Sequence, residues 1–75
     1  MTSTEKCVYE LMEKSWHFIL VRDGDGWFVK VKELRGCMSD GKTWEEAYRM
    51  IHDAMRGWLT VSIEHDLPIP EPEED

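Results

Sequence analysis

The chain has 75 residues, 9 basic against 16 acidic side chains and a formal charge of -7. That length allows one domain with a thin core, and the charge argues against nucleic acid as a direct partner, because phosphate binding needs clustered Lys and Arg. No apolar run approaches the ~18 residues of a membrane span and no secretory leader precedes Cys7 and Cys37, so the expected setting is the reducing cytoplasm, without a membrane partner.

Charge is unevenly spread. Residues 1 to 65 hold 11 acids and 9 bases, a balance of -2, whereas residues 66 to 75 hold five acids and no base. The expected organisation is therefore an α+β domain over 1-65 and an acidic, Pro-rich tail over 66-75. A partner attracted by charge would be basic and would feel the tail first.

Residues 2 to 14 open with Thr2 and Glu5 at capping-box spacing, and Val8, Leu11 and Met12 follow at helical spacing. A short helix is expected, although Cys7, Tyr9 and Leu11 also alternate as a strand would. From Trp16 to Val21 the run is aromatic and β-branched and meets Asp23-Gly24-Asp25-Gly26, a cluster tolerant of positive φ. Trp27 to Lys32 then alternates. With those four residues as the loop, Leu20 faces Val29 and Phe18 faces Val31, so Trp16, Phe18, Leu20, Trp27, Val29 and Val31 share one face of a hairpin.

The reverse face carries Ile19, Val21 and Phe28 among His17, Lys30 and Lys32. It is too apolar for free exposure, and either the N-terminal helix or another subunit should cover it. After a turn at Gly36, Cys37 to Ser39 reads as a third strand, stopped by Asp40-Gly41.

Thr43 and Glu46 form a second capping box, opening a helix to about Ile63. Its apolar positions, from Met50 and Ala54 round to Tyr48 and Leu59, fill about half the circumference, where packing on one layer needs only about 100°. The flank with Met50, Ala54, Gly57 and Val61 is thus expected to meet a second copy of the chain. The prolines at 68, 70 and 72 favour an extended tail, read either as a disordered solubilising end or as a docking strip for a basic surface.

No cofactor or metal site is expected. Asp23, Asp25 and Gly26 have the start of a calcium loop without its distal Glu, and His17, His52, His65 and the cysteines lack zinc spacing. His52 reads as a solvated residue bordering the polar helix face, and Cys37 as a small buried hydrophobe rather than a nucleophile. Glu45, Arg49, Asp53 and Arg56 alternate in charge along the helix. Such pairs contribute only ~0.2 to 0.5 kcal/mol each, so a solvated face is the first reading and a polar contact the second.

The ordered set Gly26-Trp27-Phe28-Val29, Glu33-Leu34-Arg35-Gly36-Cys37, Ser39-Asp40-Gly41-Lys42-Thr43, Glu45-Glu46-Ala47 and Leu67-Pro68-Ile69-Pro70-Glu71-Pro72 resembles the HicB-type antitoxins. Tyr9, Leu11 and Trp16 are similar to the leader of the short form. The resemblance implies a partial RNase H-like fold, α-β-β-β-α with a three-stranded antiparallel sheet, assembled as dimers or larger. It also implies a small basic HicA-type ribonuclease toxin as partner, neutralised by occlusion of its active surface.

Arg35 stands where the family pattern has proline. The operator-binding domain of longer HicB proteins is not matched, so DNA binding is not carried over. The expected toxin contacts are Asp40, Glu45, Arg49, Glu71 and Glu73, and the expected self-association surface is Ile19, Val21, Phe28, Met50, Ala54, Gly57 and Val61. An orphan oligomeric module without a toxin is the second reading. A metal-dependent nuclease is the third, because only scattered carboxylates are present.

Overall fold

The computed structural model describes residues 3–72, in the order α1 (Ser3–Met12), β1 (Phe18–Asp23), β2 (Gly26–Val31), β3 (Met38–Gly41) and α2 (Trp44–Glu64). This is the expected α-β-β-β-α order, and the helical reading of the N-terminus holds over the strand alternative. Thr2 lies outside the described residues. The sheet is antiparallel, with β2 between β1 and β3.

Leu20 pairs with Val29 and Phe18 with Val31, as the alternation requires. The loop is shorter than expected, because Asp23 and Gly26 also pair and leave only Gly24 and Asp25 between the strands. Gly24 has φ +58° while Asp25 stays negative, the pattern of a type II′ turn, whose twist suits adjoining antiparallel strands. The third strand also lies slightly later than expected, since Cys37 belongs to the preceding corner.

That corner is a type II turn. Cys37 N–H donates to Leu34 O at 3.1 Å, Gly36 has φ +80°, and Arg35, with negative φ, occupies the position where proline is favoured. Trp58 Nε1 donates to Arg35 O at 3.0 Å, tying the corner to α2.

Thr43 caps α2 from an extended conformation, its Oγ1 accepting from Glu46 N–H at 3.1 Å. Among the described residues only this hydroxyl half of the box forms. At the other end Leu67 N–H donates to Ser62 O, Asp66 N–H to Ile63 O, and Asp66 takes φ +55°. This is a Schellman closure with aspartate where glycine is usual.

The core lies between α2 and the sheet, with α1 packed along α2. Ala47, Ile51, Met55 and Leu59 are fully buried over Val29 and Val31, with Val8, Trp16, Leu34 and Cys37 completing the cluster. Trp16 Nε1 donates to Leu11 O at 2.7 Å, fixing the exit of α1. Up to residue 72 the tail is not a free end: Ile69 packs on the core and Glu71 pairs with Lys14 at 2.7 Å.

Two substitutions test these local readings by urea denaturation. Arg35→Pro fits the turn and is expected to stabilise by about 0.4 to 1 kcal/mol. Gly41→Ala places a Cβ 2.5 Å from Ala47 N, so a loss of about 1 to 3 kcal/mol is expected. A neutral Gly41→Ala would mean that β3 and the start of α2 are not this close.

Candidate protein interaction surfaces

Period-2 alternation puts Val29 and Val31 under α2 and turns the intervening side chains to the opposite side of the sheet. The register builds two rows there, Ile19–Lys30–Met38 and Val21–Phe28–Asp40. Val21 and Met38 are half exposed and Ile19 is 36% exposed. Because α1 packs on α2, it does not cover this face, which removes the first of the two expected covers. His17 also differs from expectation. Its Nδ1–H donates to Glu33 at 2.6 Å and its backbone N–H to the same carboxylate at 3.1 Å, with the Glu33 side chain only 3% exposed.

A second surface runs between α2 and β3. Met50 and Val61 are exposed, Ala54 is half-buried, and a Cβ on Gly57 would meet nothing within 4 Å. Ala54, Gly57 and Val61 with Met38, Leu67 and Pro68 border a shallow groove floored by Cys37 and Trp58, whereas Met50 borders a separate hollow at the start of α2. Sequence reading missed Met38 and Leu67. Alternation from buried Cys37 would have found Met38, whereas Leu67 is placed by the Schellman closure, which aspartate at position 66 disguises.

The five expected polar contacts do not form one patch. Asp40 is exposed on β3, while Glu45 lies about 180° round α2 from Ala54 and shares its exposed side with Arg49. Glu71 is held by Lys14 at the end of α1, and Glu73 lies outside the described residues. Helical rotation and the folded-back tail separate residues that charge alone had grouped.

His52 is half-buried rather than solvated. It stacks on Phe18 at 5.3 Å and meets Tyr48 edge-on at 4.4 Å, and its Nδ1–H donates to Tyr48 O at 2.8 Å. Cys37 is buried and burial pushes its thiol up, while Cys7 is exposed. Among the described residues no cluster of His, Cys, Asp or Glu is placed to hold a metal, and no helix is long and apolar enough to cross a membrane.

The family model for the HicB_like antitoxin of bacterial toxin-antitoxin systems matches residues 17–74. A UPF0150 protein of Helicobacter pylori is 42% identical over 41 residues, covering 55% of this chain and 57% of its own length. The chain thus spans little more than half of that relative. A UPF0150 protein of Thermoplasma acidophilum is 38% identical over 53 residues, 69% of this chain and 77% of its own. No solved structure matches.

The contrast between the two thiols has a direct readout. With iodoacetamide at pH 8, the folded protein is expected to alkylate at Cys7 at least about tenfold faster than at Cys37, because the thiolate reacts and the buried thiol resists forming it. Mass spectrometry of the peptides measures both rates, and equal labelling would contradict the burial of Cys37.

Proposed function

The chain belongs to the HicB-like antitoxins of bacterial toxin–antitoxin systems, and from that premise we propose that it neutralises a small basic HicA-type ribonuclease by covering its active surface. The match over residues 17–74, from the start of the sheet through α2 into the tail, carries this reading. Physical chemistry supports it. A ribonuclease must present cations to RNA phosphates, and a protein of charge -7 competes for those cations.

In this reading the protein works in the cytoplasm and binds no nucleic acid itself. Asp40, Glu45, Arg49, Glu71 and Glu73 are its polar contact residues, engaged from more than one side of the body. The open sheet face of Ile19, Val21 and Phe28 joins a second copy, since a half-exposed apolar face whose strands carry Lys30, Asp40 and, at one end, Asp23 bears both signs and is compatible with itself. Occlusion needs no catalytic group on this chain.

Co-expression with a short basic open reading frame adjacent to the gene tests the proposal. Growth arrest by that product alone and relief by this chain are expected, with purified RNA cleavage suppressed at equimolar ratio. The double substitution Asp40→Lys, Glu45→Lys should slow association about tenfold at low salt and much less at 0.5 M salt, where charge is screened over a few ångströms. A product that does not arrest growth, or is not relieved, removes the proposal.

A further inference from the structure

Resting on the occlusion reading, we infer that the free edge of β3 and the α2 groove beside it receive an extended segment of the basic partner, added as a fourth strand with alternating basic and apolar side chains. The ladder shows why the edge is available. Val31 N–H donates to Cys37 O at 3.1 Å, and alternation along the β2–β3 register makes Ser39 and Gly41 the next residues bonded inward. The N–H and C=O groups of Met38 and Asp40 therefore point outward. Among the described residues nothing pairs with them. Such an edge is a template for strand addition.

The two sides of an added strand would meet different chemistry. Residues opposite Met38 and Asp40 place their side chains on the open sheet face, beside the exposed carboxylate of Asp40. The intervening residues point toward α2, where Ala54, Gly57 and Val61 offer an apolar wall and Gly57 leaves room. At 100° per residue, Glu46 and Glu64 fall within about 20° of Gly57, just beyond the apolar lining of the groove, while Asp53 at about 40° is already paired with Arg56 at 4.0 Å. Asp25 and Glu46 also border the hollow at the start of α2, against one cation, Lys42. Among the described residues Asp25, Asp40, Glu46 and Glu64 enter no ion pair.

This charge pattern selects between occupants. A second copy seated edge to edge about a two-fold axis would set the unpaired Glu46 and Glu64 against their own copies, and like charges across an interface cost several kcal/mol. A basic strand reverses the sign. The flank that sequence reading gave to self-association is thereby reassigned to the partner, and the open sheet face remains for the second copy.

Two measurements test the groove apart from the occlusion reading. In the first, the capped peptide Lys-Val-Lys-Val-Lys-Val-Lys is titrated to millimolar concentration by NMR. Shifts of the Met38, Asp40, Ala54 and Gly57 amides are expected, with none for the Glu-Val analogue. Absence of shifts, or shifts confined to Ile19 and Val21, overturns the inference.

The second compares Gly57→Lys with Val21→Lys for binding of the adjacent basic gene product. Gly57→Lys replaces a poor helix former where space is open, so folding and Tm should hold. It is expected to weaken binding about tenfold or more with the mass by light scattering unchanged, while Val21→Lys, on the self-association face, lowers that mass and weakens binding less. Equal binding by wild type and Gly57→Lys overturns the groove and leaves the occlusion reading standing. Loss with Val21→Lys alone, or a drop in mass by light scattering for Gly57→Lys without loss of binding, does the same. A wild-type chain that does not bind overturns the occlusion reading itself, and the peptide titration then decides the groove by its own result.

Discussion

A three-stranded sheet has two faces, and this chain supplies helix to cover one. The side chains of Ala47, Ile51, Met55 and Leu59 leave no accessible surface where they meet Val29 and Val31. Each large one contributes about 1.5 to 3 kcal/mol by leaving water, so this seam is the main favourable term in a domain of 75 residues. α2 is 21 residues long, about 31 Å, whereas three strands span only about 14 Å across. The seam is correspondingly narrow. Both flanks of α2 are left in solvent, one as the Trp44 and Tyr48 side, the other as the Met50 and Val61 side.

A narrow seam makes local closures matter. The type II corner at Arg35 and Gly36 turns the chain from β2 into β3, and Trp58 reaches across to hold its carbonyl. Gly41 lets β3 run into the backbone of α2, where any side chain would collide. Glu33 does the corresponding work at the other end by taking both the ring and the backbone N–H of His17, which anchors the entry to β1. The tail extends the closure, through Leu67 on Ser62, Ile69 on the core and Glu71 on Lys14. None of these is a large energy alone. Together they fix the ends of elements whose middles are fixed by burial.

The parts legible in the sequence are those written in periodicity. Alternation in Phe18 to Val21 and Trp27 to Val31 set the register, and the half-turn repeat of α2 set its buried stripe. Thr43 with Glu46 marked the helix start. What periodicity does not encode was missed or misplaced. The path of the tail depends on one positive φ at Asp66, where only glycine would have signalled the turn. The partners of His17 and His52 lie 16 residues away and one helical turn back, respectively, contacts that no local pattern announces. Asp40, Glu45, Arg49 and Glu71 were grouped by charge, and charge carries no direction. The family itself was visible in the ordered motifs, because those motifs are the corners and caps that the fold needs.

The two uncovered surfaces differ in a way that composition cannot express. On the open sheet face Lys30 and Asp40 stand among Ile19, Val21, Phe28 and Met38, so both signs are present and the face can meet its own copy without net repulsion. Along the β3 edge the unpaired charges of α2 nearest Gly57 are Glu46 and Glu64, both acidic, since Asp53 is taken by Arg56. Five of the seven net negative charges lie in residues 66 to 75, and the nearly neutral remainder divides into a patch of mixed sign and a rim whose unpaired charges are acidic. Self-association and capture of a cationic protein need not compete for the same ground, since the first is favoured where signs mix and the second where they do not.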